Sequence, residues 1–252
     1  NPVHTAPAEL DFAGALERVD TSVHLGLYRD ETGRATTWHV NEAHHLEKIL
    51  PALQAQRFDG NTEIICIDSG STDGSIELMQ RHGVEPVRIS PEEFHHGRTR
   101  NLAAAHAQNE ILVLLSGDAL PASETWLANI VRHFDDANVA AVYGKQIPPE
   151  YIRPVRAQAM RSEYPDVRMV RSKATAEAIH PGLFRFSNAN AAVRRSAWEQ
   201  FPWDESLLLA EDQGQCRDFI MHGWTVIYDP EAAVYHGHQR TLWGEFQFAV
   251  DN

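Results

Sequence analysis

The hydrophobic pattern changes period several times along the chain. In "NEAHHLEKILPALQAQ", Ala43, Leu46, Ile49, Leu50 and Leu53 fall on one helical stripe, with Asn41 placed to cap it. "TEIICID" follows as a short strand ending at Asp68. "DGSIELMQRHG" reads as a helix that Thr72 or Asp73 can cap and Gly83 can end. "EPVRIS" is a further strand, and "GRTRNLAAAHAQ" opens an Ala-rich helix. "EILVLLS" is the kind of aliphatic run found in a central parallel strand. "SETWLANIVRHF" sets Trp126, Leu127, Ile130, Val131 and Phe134 at helical spacing, and "VAAVYGKQ" returns to a strand. This alternation predicts an α/β fold: a mostly parallel central sheet with helices on both faces.

Two regions lack the rhythm. Residues 1–35 read as an N-terminal extension with one short helix at "FAGALERV", and the first strand is expected just after it, at "ATTWHV". Residues 148–183 carry several prolines with Arg153, Arg156, Arg161, Arg168, Arg171 and Lys173, the pattern of a long functional loop. Order returns with "SNANAAVRRSAW", the helix "AEDQGQCRDFIMHG" and the strand "TVIYDP".

Composition narrows the function. A net charge of -13 over 252 residues argues against nucleic acid as a partner. It also means that a nucleotide phosphate would need a metal ion or a local arginine cluster. Cys66 and Cys216 are too few for a disulfide scaffold, so a reducing, cytoplasmic setting is the expectation. No apolar run approaches the roughly 18 residues of a membrane span. The N-terminus does not read as a secretory signal.

Candidate chemistry clusters after apolar runs. Asp68 and Asp73 follow "EIICI", Asp118 follows "ILVLLSG", Glu211 and Asp212 follow "SLLLA", and His236 and His238 follow the last strand. Each has an ordinary explanation: a helix cap, a turn, an acidic helix start, a surface histidine. In an α/β fold, however, strand ends converge on one crevice. Carboxylates with imidazole there suit Mn²⁺ or Mg²⁺.

The segments "NEAHHLEKILPAL", "EIICIDSGSTDGS", "EEFHHGRTRNLAA", "ILVLLSGDALP", "FRFSNANAAVRRSAW" and "AEDQGQCRDFIMHGWTVIYDPEAAVYHGH" together resemble glycosyltransferase family 2. "FHHGRTRN" and "SGDALP" are most similar to its bacterial rhamnosyltransferase branch. The resemblance implies a GT-A-type fold over residues 36–252, with a nucleotide-binding half to about 146 and an acceptor-binding half from about 147. It implies an inverting transfer from a nucleotide diphosphate sugar to a glycan or lipid-linked acceptor. A divalent cation would assist, and peripheral contact with the inner face of the cell membrane stays open. By the same resemblance Asn41, Asp68, Ser69, Arg98, Arg100 and Ser116 would line the nucleotide site. Asn188 and Asn190 would line the sugar site, Asp212 would be the base with Glu211 beside it, and Asp118, His236 and His238 would hold the metal. Ser116 stands where the family's Asp-x-Asp motif has its first carboxylate. Two rivals remain at this point: a sugar nucleotidyltransferase, and a non-catalytic module that binds a sugar nucleotide or glycan.

Overall fold

A computed structural model describes residues 21–27, 42–176 and 178–238. The expected helix at "FAGALERV", the strand at "ATTWHV" and Asn41 lie outside them. The first strand of the sheet, β1 (Thr21–Leu27), instead falls inside the stretch read as an extension. Beyond it the order is α1 (Ala43–Gln54), β2 (Thr62–Asp68), α2 (Ser75–Arg81), β3 (Val87–Arg88), α3 (His96–His106), β4 (Ile111–Ser116), β5 (Leu120–Pro121) and α4 (Trp126–Val131). Then come β6 (Val139–Ile147), α5 (Pro154–Glu163), β7 (Met169–Arg171), β8 (Asn190–Arg194), α6 (Arg195–Gln200), α7 (Glu211–Met221) and β9 (Thr225–Tyr235).

The strands form one sheet in the order β3-β2-β1-β4-β8-β6-β9-β5, with β7 on β9. β1 to β4 are parallel to their neighbours, but β8 runs antiparallel to both β4 and β6, so the sheet is mixed. Side chains of β4 alternate between two cores, as a strand's period of two requires. Ile111, Val113 and Leu115 join α1, α2 and α4; Leu112 and Leu114 join α6 and α7. Cys66 and Cys216 are buried free thiols, one in each core. The segment expected as a loop at 148–183 contains α5 and β7, and its arginines are partly spent on structure. Arg171 lies 5.4 Å from the Tyr143 ring centroid and donates to the Arg185 carbonyl.

β6 and β9 lose register between Gly144 and Gln146, where β9 detours at Pro230. The detour turns the Ala232 carbonyl toward β6, and Asn190 Nδ2 donates to it at 2.8 Å. A Cβ on Gly144 would stand 1.8 Å from that oxygen. Nearby, Asp229 is fully buried on β9 and accepts from Arg132 at 2.7 Å and from the backbone of Glu231 at 3.0 Å, with His133 Nε2 at 2.6 Å. Burial alone would raise its pKa; these partners reverse that and hold it well below the usual carboxylate range.

Two consequences can be measured by urea titration. Gly144→Ala should destabilise the fold by about 1–3 kcal/mol, because the methyl cannot fit without parting β6 from β9. Asp229→Asn should cost about 1.5–3 kcal/mol, since it weakens the charge-assisted bond from Arg132, which is 35% exposed and also paired with Glu231. A depressed carboxylate stabilises fully above its unfolded pKa of about 3.9, and that share is lost as pH falls below it. The Asp229→Asn protein should therefore lose less of its stability than the parent on acidification below about pH 4.

Candidate active site

The turn after β4 and the residues beyond β9 bring Asp118, His236 and His238 together. β4 ends at Ser116, whose N–H donates to the Ala189 carbonyl at 3.2 Å, tying this strand to the loop before β8. Asp118 follows in the turn. His236, just beyond β9, places Nε2 3.4 Å from Asp118 Oδ1, and His238 places Nδ1 3.5 Å from Oδ2. The ligand atoms of the three residues lie within 4.8 Å of one another. Burial pushes the Asp118 carboxyl up, but His236, His238 and His45 outweigh it and keep Asp118 ionised far below its ordinary value.

A residue pair that the pattern of the chain did not flag sits beside this group. Glu42 begins α1 almost fully buried, and His45 Nε2 is 3.6 Å from its carboxylate. Burial, then Asp118 and Asp73, push the Glu42 carboxyl up to about 8. Glu42, His44 and His45 form a second set of clustered ligand atoms. A helix N-terminus disfavours a cation, so this set is the weaker candidate for one. Its sequence signal was slight: one acid and two histidines read as polar positions on a helix start.

The other pole is the start of α7. Ala210 adopts a left-handed conformation with φ 61, an unusual state for a residue with a Cβ, and the two acids follow it directly. Glu211 is buried and forms an ion pair with Arg100. Asp212 is half-buried, and its carboxylate accepts the backbone N–H of Gln213 at 2.7 Å. Burial and the neighbouring Glu211 carboxylate push Asp212 up to about 6, against the pull of Arg100. The two acids are therefore not equivalent: one is neutralised by its partner and closed off, the other is open and poised near neutrality.

Several expectations need correcting. Asn190 does not line a sugar site; it is fully buried, accepts from Trp126 Nε1 at 2.9 Å and donates to Ala232 and Lys145 carbonyls. Arg98 and Arg100, expected at the nucleotide site, are ion-paired here: Arg98 lies 3.5 Å from Glu205 at the surface, and Arg100 pairs with the buried Glu211. Asp73 caps more than its own helix: it accepts the N–H of Ser75 at 3.0 Å and that of Ala43 at the start of α1 at 2.9 Å. Asp68 and Ser69 are buried at the end of β2, and the Asp68 carboxylate accepts loop N–H groups of Gly70 and Ser71. Asn188 is 3% exposed, and neither its amide nitrogen nor its oxygen has a hydrogen-bond partner. A buried amide left open in this way is an exception among folded proteins.

Comparison with known proteins agrees with this geometry. The family described as glycosyl transferase family 2 matches residues 39–201. The O-antigen chain rhamnosyltransferase RfbN of Salmonella typhimurium is 35% identical over 206 residues, covering 81% of this chain and 65% of that protein. The O-antigen chain rhamnosyltransferase WbaN of Salmonella anatum is 36% identical over 194 residues, covering 75% and 61%. The chain thus spans less than two thirds of the length of either relative. Among solved structures, the mannosyltransferase PcManGT of Pyrobaculum calidifontis, in complex with GDP-Man and Mn²⁺, superposes with a TM-score of 0.65. It is 21% identical and covers 93% of this chain and 65% of that one, a likeness of fold. The order of motifs, the GT-A-type sheet and the family match coincide over one stretch of sequence, and the chain belongs to glycosyltransferase family 2.

Proposed function

We propose that the chain transfers a sugar, rhamnose by its relationship to RfbN and WbaN, from a nucleoside diphosphate donor to a hydroxyl of a glycan or lipid-linked acceptor. The observation that carries this reading is the split between two adjacent acids, with Glu211 paired and Asp212 open and raised to about 6. A carboxylate of that pKa is ionised at neutral pH yet basic enough to take a proton in a transition state. Asp212 removes the acceptor hydroxyl proton as the oxygen attacks the anomeric carbon. The bond from that carbon to the diphosphate oxygen breaks, and the nucleoside diphosphate leaves with the electron pair. Attack from the face opposite the leaving group inverts the anomeric centre. Asn188 supplies its free amide to a sugar hydroxyl.

Asp118, His236 and His238 fit a divalent cation. His236 Nε2 is buried without a hydrogen-bond partner, and Asp118 is held in its anionic form. Two imidazoles with one carboxylate suit Mn²⁺ better than Mg²⁺, which prefers oxygen. When bound, such an ion supplies positive charge for the departing diphosphate. That role grows in weight because Ser116 contributes no carboxylate and Arg100 is paired with the buried Glu211.

Residues up to 146 then form the donor half and those from 147 the acceptor half. Leu207, Leu208 and Leu209 lie exposed immediately before α7, an apolar step beside the base that suits a lipid-linked acceptor at a cytoplasmic membrane face. Among the described residues no helix is long and apolar enough to cross a membrane.

The direct test is transfer from a panel of nucleoside diphosphate sugars, with acceptor present. Asp212→Asn should lower kcat by about 10²–10⁴-fold while leaving donor binding intact. Normal turnover in that variant would overturn the assignment. Activity of the parent should fall as pH drops through about 6, where Asp212 takes up its proton. Glu211→Gln removes the neighbouring repulsion and should move that acid limb to lower pH. Nucleoside diphosphate binding, followed by calorimetry, should weaken on adding EDTA and weaken equally in Asp118→Ala without EDTA. Binding indifferent to both treatments would exclude the cation.

A further inference from the structure

Gln146 follows Lys145 near the end of β6, and it is 6% exposed. Its amide is used at both ends. One end lies 2.8 Å from His236 Nδ1 and the other 2.9 Å from Ser187 Oγ. The two parallel strands deliver this contact, because His236 N–H donates to the Ile147 carbonyl at 3.1 Å and fixes the end of β9 against β6. Ser187 opens the loop that carries Asn188, whose backbone is among the groups that act on the Asp212 carboxyl. A line of contacts thus runs from Asp118 through His236 and Gln146 to Ser187.

The direction of the Gln146 amide decides the chemistry of His236. With the amide N–H₂ toward the ring, Nδ1 must accept, and the ring proton sits on Nε2 facing Asp118. That proton would fill the gap beside the Asp118 carboxylate, 3.4 Å from Nε2, and close it to a cation. With the carbonyl toward the ring, Nδ1 carries the proton and Nε2 presents a lone pair beside the carboxylate. The Gln146 N–H₂ then donates to Ser187 Oγ, which also receives the Ala189 N–H at 3.4 Å. Only this second orientation leaves two acceptors facing one gap, which is what a cation requires.

Resting on the cation reading above, we propose that Gln146 is a positioning residue. Its carbonyl holds His236 as the Nδ1–H tautomer with Nε2 free as a ligand, and its N–H₂ anchors the Ser187–Ala189 loop that backs Asp212.

Ring-nitrogen NMR of the chain loaded with diamagnetic Zn²⁺, together with Mn²⁺ titration, tests this. His236 should show a protonated Nδ1 and an unprotonated Nε2 in the parent. Gln146→Leu should release the ring toward the Nε2–H form and lower Mn²⁺ affinity by about 10–100-fold, the usual cost of losing such a supporting contact. Gln146→Glu keeps an acceptor for Nδ1–H and should keep both the tautomer and the affinity. A packing role would instead lower thermal stability in both variants and leave the tautomer unmoved, which overturns the proposal. A parent His236 protonated at Nε2 also overturns it, and needs no variant to fold. Failure of the parent to bind Mn²⁺ would remove the cation reading, and the ligand role with it. Mn²⁺ binding that survives Gln146→Leu at full strength would remove Gln146 alone.

Discussion

Burial of the central sheet on both faces is the constraint from which the rest follows. β4 and β8 have no face open to water, so polar side chains can work only where strands end. That is where Ser116, Asp118, Gln146 and His236 occur, and the loop at 187–189 brings Asn188 to the same place. Polar residues left within the sheet must be fully satisfied instead. Asn190 meets that demand by clamping the β9 detour, and Arg194 by donating to the carbonyls of Val139, Phe134 and Asp136. An unmet hydrogen bond there would cost about 1–3 kcal/mol.

Charge then sorts function from structure. Besides Glu42, three buried or half-buried carboxylates are shifted among the described residues, and for different reasons. Asp229 is lowered by partners that saturate it, and it has no open position for a ligand. Asp118 is lowered by imidazoles that face it at longer range, beyond 3.3 Å, leaving room between them. Asp212 is raised by burial and by its neighbour, and it stays reachable. A perturbed pKa by itself marks neither a site nor a role; the geometry of what perturbs it does.

Much of this was legible in the sequence, and the misses have physical causes. α1, α2, α3, α4 and α7 follow their apolar stripes, because one face of each helix must meet the sheet. The acids at 211 and 212 were readable as a helix start, yet nothing local said that Arg100 would take one of them. The first strand was sought next to α1, whereas β1 lies earlier, at Thr21–Leu27. The antiparallel course of β8 is set by the excursion through α5 and β7, and no local period encodes a crossover. Asn190 looked like a ligand residue because "SNAN" is polar. Only its place as the first residue of β8, facing Trp126 and Ala232, shows it to be structural. Gln146 left a faint signal, a single amide after Lys145 near the end of β6.

The account stands on one claim: the Asp118–His236–His238 group and the Asp212 carboxylate are the two poles of a single transfer site. The most direct measurement is a crystal structure of the chain with Mn²⁺ and a nucleoside diphosphate sugar, with anomalous data at the manganese edge. The account predicts a single manganese peak between Asp118 and the two histidines. The diphosphate should lie on it, and the anomeric carbon should be turned toward Asp212. A peak at Glu42, His44 and His45 instead, or a sugar that faces away from Asp212, would contradict it.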